Sequence, residues 1–484
     1  MKKICLALCV ALSCLVLFNF QGCKNSSQSS TTYQINGALN ENVLQGSEKV
    51  CFENQTDKVF TTLKFNLFGN AFRKDAKFKP IATQYENRAY YKGESYGQMQ
   101  VFSVKQGQKP LDFDVLGQDQ NILEIKLDNE LFPNERVEVE IEFSLTLANV
   151  IARTGINQNT INLGNFYPIL CGIDQNGFYE CVYYSNGDPF FSNVADYQVE
   201  LQVDADFIVA SSGSLVSEKT VNGKVIKSYQ LQSARSFCLV LSKNFNKLSQ
   251  TVGQTEITYY YFEDETPQTS LDYAVQSVQL FNNLFGEYPY KTYSVVQTEF
   301  MQGGMEYPAL VMISNQLEQS AYREVIVHET AHQWWQTVVG NNEIEFGFLD
   351  EGLAEYSVVL FFENYNEHGL TRANLITSAE RTYKVFCSVS DKLFGGVNTV
   401  MLRSLKDFKS EYEYVNMAYL KPCIMYDYLR TTIGDNLFFK GLKRYYQTYA
   451  MQNATPQDLV GAFEKVGADS NGFFNGFFEG KVII

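Results

Sequence analysis

The hydrophobic period of this chain changes once, near Lys247, and that change limits the folds open to it. Before it, apolar residues alternate. Val137, Val139, Ile141, Phe143, Leu145 and Leu147 are separated by Glu138, Glu140, Glu142 and Ser144, which puts the apolar side chains on one face of an extended strand and leaves the other wet. Leu123, Ile125 and Leu127 repeat the pattern, as do Val199, Leu201 and Val203. Turn signals such as Asn222-Gly223 and Asn186-Gly187-Asp188-Pro189 separate the runs. After the change, Leu271, Ala274, Val275, Val278, Phe281 and Phe285 recur at helical steps and stop at Gly286. A short β-like run from Tyr293 to Val296 follows, and helical patterns dominate from Ser320 onward. The chain reads as α+β, with a β-rich domain over 33–247 and an α+β domain over 248–484.

With 484 residues, 45% of them hydrophobic and 14% aromatic, the chain can bury large cores, and general disorder is excluded. A formal net charge of −15 argues against nucleic acid as a partner, because phosphate would be repelled. The N-terminus has the layout of a secretory signal over 1–23. Lys2 and Lys3 precede an apolar run from Ile4 to Phe18, then Phe20-Gln21-Gly22-Cys23, and a Ser/Thr/Gln-rich tether occupies 24–32. The Gly22-Cys23 junction resembles a bacterial lipobox. That resemblance implies a lipid on Cys23, a membrane-tethered lipoprotein and an extracytoplasmic location; an uncleaved signal anchor or simple secretion are the alternatives. Downstream, Cys51, Cys171, Cys181, Cys238, Cys387 and Cys423 form no CxxC pair, so a second, structural zinc site is not expected. Cys171 and Cys181 fit either a bridge between neighbouring strands or two buried thiols.

Only three histidines occur, and two of them bracket His328-Glu329-Thr330-Ala331-His332. On a helix, residues four apart share a face, so both imidazoles can reach one metal ion with Glu329 beside it. The flanks favour a helix: Val325-Ile326-Val327 lead in, Trp334-Trp335 follow, and the first breaker is Gly340. A buried helix with two hydrogen-bonded histidines is the plainer reading of HExxH, but histidine is scarce in this chain. A catalytic zinc carries three protein ligands and an open position. Glu351, in Leu349-Asp350-Glu351-Gly352, stands far enough past His332 to reach the metal from another helix, and it is the expected third ligand. Glu355, one turn further, either orients His328 or is an exposed helix acid, and His368 beside Gly369 reads as a surface residue.

At this point the chain resembles the aminopeptidase N family of zinc metallopeptidases. Gly303-Gly304-Met305-Glu306-Tyr307 is similar to the family's GAMEN motif, with Ala to Gly and Asn to Tyr as departures. Tyr419-Leu420-Lys421-Pro422 resembles its Tyr-x-Lys-Gly segment, with Pro422 where glycine is usual. The stretches from Gly187 to Tyr197 and from Ala454 to Leu459 also read like this family. The resemblance implies a β-rich sandwich or saddle followed by a thermolysin-like catalytic domain, in a short form without the large C-terminal helical domain of many members. It implies one Zn²⁺ per chain on His328, His332 and Glu351, with Glu329 as general base and Tyr419 as oxyanion donor. Gly303, Gly304 and Met305 would line the peptide, and Glu306 would pair with its free α-ammonium, so the expected partners are peptides with a free N-terminus. A thermolysin-like zinc endopeptidase and a catalytically silent surface peptide-binding lipoprotein are the rival readings.

Overall fold

A computed structural model describes residues 29–365, 368–482 and 484. The leader, Cys23 and most of the tether lie outside the described residues. The alternating segments form strands as their pattern requires. The largest sheet contains β1 (Thr31–Asn40), β2 (Val43–Glu53), β3 (Gln98–Gln106), β4 (Arg136–Thr146), β5 (Ala195–Asp204), β6 (Ser214–Val221) and β7 (Lys224–Ala234). Their spatial order is β6-β7-β5-β1-β2-β4-β3, with Lys109–Pro110 added at the β3 edge. On β4, Val137, Val139, Ile141, Phe143 and Leu145 are buried, while Lys49 of β2 reaches Glu138 and Glu140 on the wet face at 3.1 and 3.0 Å. The β6–β7 hairpin closes through Asn222 and Gly223, both with positive φ (51° and 77°), as a tight turn of matching twist demands. Two four-stranded sheets and a two-stranded ribbon, Ile173–Asp174 with Gly177–Phe178, complete this β-rich part.

The second part is built on β8 (Asn246–Val252), β9 (Thr255–Tyr261), β10 (Thr292–Thr298), β11 (Gly304–Met305) and β12 (Leu310–Ser314), in the order β8-β9-β10-β12-β11. The expected division at 247/248 therefore falls inside β8. Strands β9, β10 and β12 run parallel, and β11 lies antiparallel at the exposed edge. Helix α1 (Pro267–Leu284) begins one turn before the periodic apolar residues, with proline in its first turn.

Helix α2 (Gln319–Ala331) carries the HExxH segment but ends nine residues before Gly340, with His332 as its C-cap. Burial of two indoles overrides the helical flank. Trp334 Nε1 donates to Gly286 O (2.7 Å) and Trp335 Nε1 to Ser357 Oγ (3.2 Å), and Gln336 turns the chain at a φ of 140°. Val339–Gly340 then pairs with Gln452–Asn453. Next come α3 (Phe348–Asn364), α4 (Arg372–Phe394) and α5 (Lys421–Ile433).

One side-chain expectation changes. His368 is half-buried rather than superficial: its ring lies 4.4 Å from that of Tyr273 and its Nε2 3.2 Å from Gln276 Oε1. Of the two readings open for Cys171 and Cys181, the buried free thiols hold. One apolar core runs through both parts, including Tyr33, Val199 and Leu239 from the first and Val295, Trp334 and Phe361 from the second. Among the described residues, no helix is long and apolar enough to cross a membrane.

Candidate active site

Helix α2 presents His328 and His332 on one face, and the first turn of α3 brings Glu351 to them. The two Nε2 atoms are 3.1 Å apart, and Glu351 Oε2 lies 3.3 Å from that of His328 and 3.2 Å from that of His332. Ligands at about 2.0–2.1 Å around a tetrahedral zinc stand about 3.3–3.4 Å from one another, so the triangle fits that ion. The remaining ring nitrogens support the same assignment. His332 Nδ1 lies 3.0 Å from the carbonyl of Trp335, which can only accept, so the proton sits on Nδ1 and Nε2 is left for the metal. His328 Nδ1 faces Glu355 Oε2 at 3.2 Å, which makes Glu355 a positioning residue rather than a free surface acid.

Electrostatics bind these groups tightly. Burial would push the Glu351 carboxyl up, but the two imidazoles overrule it and hold it at about 2. Burial would pull the His328 imidazolium down, yet Glu351 and Glu355 outweigh it and lift it to about 10. Ligation at this site therefore displaces protons.

Glu329 is 5% exposed, and its Oε2 has no hydrogen-bond partner. Burial raises its carboxyl to about 7, against the pull of both histidines, which places it where a general base works near neutral pH. The edge strand β11 passes directly over it. A Cβ at Gly304 would collide with the Glu329 carboxylate, so glycine is needed there for the close approach. Glu306 follows Met305, is 4% exposed, and offers an oxygen within 4.8 Å of donor atoms on Glu329 and His332. It faces the cleft. Gly303 and Gly304 are half-buried at the sheet edge, with Met305 packed beneath.

Tyr419 lies in a π-helical turn, Asn416–Leu420, just before α5, and such turns recur at functional positions. Its ring stacks on His328 (5.7 Å, 12°), and its hydroxyl donates to Glu351 Oε1. Burial first, and Glu351 second, push its phenol well above the usual range, so it stays a donor. The departures from the expected motifs have local causes. Pro422 stands where the π-helical turn passes into α5, and packs on Gly352, which has no room for a side chain. Lys421 is turned out of the site and donates to Thr399 O at 2.5 Å. Tyr307 reaches into the β-rich part, where its hydroxyl donates to Asn165 Oδ1 at 2.7 Å.

Sequence reasoning missed several groups around the cleft. Asp188, from the Gly187 turn, pairs with Arg153 at 2.5 Å, and Arg153 lies over the Phe190 ring at 5.1 Å. The turn signal located Asp188, but nothing in the chain linked it to Arg153.

Residues 269–477 match the peptidase family M1 domain. That segment is a peptidase family M1 domain. The chain aligns with aminopeptidase N of Lactococcus lactis subsp. lactis, at 25% identity over 47% of this chain and 27% of that one. It also aligns with the puromycin-sensitive aminopeptidase of Caenorhabditis elegans, at 23% identity over 58% of this chain and 32% of that one. It thus spans about a third or less of these two relatives. The M1 zinc metallopeptidase of Deinococcus radiodurans has the same fold, with a TM-score of 0.67 at 16% identity, covering 94% of this chain and 96% of that one. A mutant of that protein bound to a Tyr-Ser-Ala substrate aligns with a TM-score of 0.62. The expected family and the α+β class with an N-terminal β-rich domain both hold.

Proposed function

We propose that the protein is a zinc metallo-aminopeptidase that removes N-terminal residues from peptides. The observation that carries this reading is the junction of two sets: the His328, His332 and Glu351 triangle, and Glu306 held at a sheet edge within 4.8 Å of Glu329 and His332. One Zn²⁺ bound by the triangle would supply a Lewis acid for the peptide carbonyl and for water. Glu329 takes the proton from the attacking water and delivers it to the leaving amine. Tyr419 exchanges its bond to Glu351 Oε1 for one to the oxyanion that develops on the carbonyl. Edge strand β11 adds the peptide as a neighbouring strand through its backbone, and Glu306 takes the α-ammonium, which sets the cut one residue from the end. The same reading puts the protein outside the cytoplasm, tethered through lipid on Cys23, on the strength of the leader pattern over 1–23.

The deciding experiment compares an unblocked aminoacyl-anilide with its N-acetylated twin. The unblocked substrate should show a kcat/KM roughly 10²-fold higher, the scale of a buried charge pair lost on acetylation. Equal rates would dismiss exopeptidase action and favour an endopeptidase. Within the same assay, Tyr419→Phe should lower kcat by roughly 10²–10³ with zinc content and KM little changed. A change in KM alone would move Tyr419 from the oxyanion to ground-state binding.

A further inference from the structure

Glu306 belongs to a second acidic group that the proposed chemistry does not use. It also offers an oxygen within 4.8 Å of carboxylate oxygens on Glu343 and Asp350. Glu343 opens the short helix Glu343–Phe346, and Asp350 precedes the ligand Glu351 on α3. All three are sealed from solvent, at 4%, 2% and 2% exposure. Neither oxygen of Glu343 has a hydrogen-bond partner of ordinary geometry, and neither does Glu306 Oε1; the Gln336 amide leans toward Glu343 without closing such a bond. Asp350 accepts only one side-chain bond, from Asn341 Nδ2 at 3.0 Å.

The buried cation whose field reaches Glu343 is Arg235, and it is committed elsewhere. It donates to Gln336 O (2.7 Å), Ser192 O (3.1 Å), Gln452 O (2.7 Å) and Asn453 Oδ1. Glu306 and Glu343 keep unmet acceptors, and His332, whose charge acts on Glu306 and Asp350, is the one further cation that the described residues set against three clustered acids, a costly arrangement that a bound ion would relieve. An all-oxygen donor set selects a hard cation, and calcium at about 2.3–2.6 Å from each oxygen spans the spread seen here.

We propose that Glu306, Glu343 and Asp350 hold a hard cation of the calcium class, separate from the ion of the histidine site, which fixes the Glu306 carboxylate for the substrate's α-ammonium. The part of this concerning the α-ammonium rests on the aminopeptidase reading; the binding of the cation does not. The cation neutralises the cluster and takes part of the Glu306 carboxylate, leaving the rest for the amine.

The test uses the zinc-loaded protein, with calcium uptake followed by equilibrium dialysis and stability by thermal melting. Wild type should take up one Ca²⁺ per chain with no loss of zinc, and its Tm should rise by roughly 5 °C at millimolar Ca²⁺. The KM for an unblocked anilide should fall in parallel. Glu343→Gln should abolish both the uptake and the rise in Tm while retaining zinc. If that variant does not fold, Asp350→Asn should show the same losses. Wild type that binds no Ca²⁺, or a Glu343→Gln protein that binds it equally well, overturns the site. Uptake and melting need no turnover, so the two readings fail separately. Calcium binding without any preference for free amines sinks the aminopeptidase and keeps the cation, and the reverse result sinks the cation alone.

Discussion

Replacing Glu329 by glutamine should lower kcat by roughly 10²–10⁴ while the protein keeps its zinc. Glutamine matches the shape of glutamate, so it fits beneath Gly304, where no side chain is tolerated. It cannot take a proton from water. Glu329 is not one of the three donors that face each other at 3.1–3.3 Å, so removing its charge leaves the triangle whole. Stability should not suffer, because an unpartnered carboxylate at 5% exposure is replaced by a neutral amide. Metal analysis beside steady-state kinetics checks both halves. A variant within tenfold of wild type, or one that has lost zinc, removes Glu329 from the role of base.

The second large effect is expected at Glu306. Glu306→Ala should reduce kcat/KM on an unblocked anilide by roughly 10²–10³ and leave zinc in place. Its action on the N-acetylated twin should hardly change, so the preference for free amines collapses. That ratio separates loss of amine recognition from general damage to the cleft. If both substrates suffer alike, Glu306 supports the fold of β11 and does not read the amine.

The reach of the sequence differed from element to element for physical reasons. Strands such as β4 were plain because a two-residue period with one charged face has no other stable arrangement. The His328, His332 and Glu351 triangle was legible because spacing on a helix is local, and because two of three histidines fell within five residues. The early end of α2 was not legible. It depends on where Trp334 and Trp335 bury their rings, and those partners, Gly286 and Ser357, are distant in sequence. The same applies to Glu355, whose contact with His328 needs α2 and α3 to be packed before it exists. Glu343 gave no sign at all, since an acid in the first turn of a short helix is ordinary until its burial is known.

The tie between Tyr307 and Asn165 has a consequence for how a terminus is told from the middle of a polypeptide. On the proposed reading, the carboxylate that serves as the ruler's zero mark sits one residue from a side chain moored in the opposite half of the molecule. Discrimination by chain end would then be calibrated by the seam between the two halves, so a slip along that seam would blur the measurement while the scissors stayed sharp.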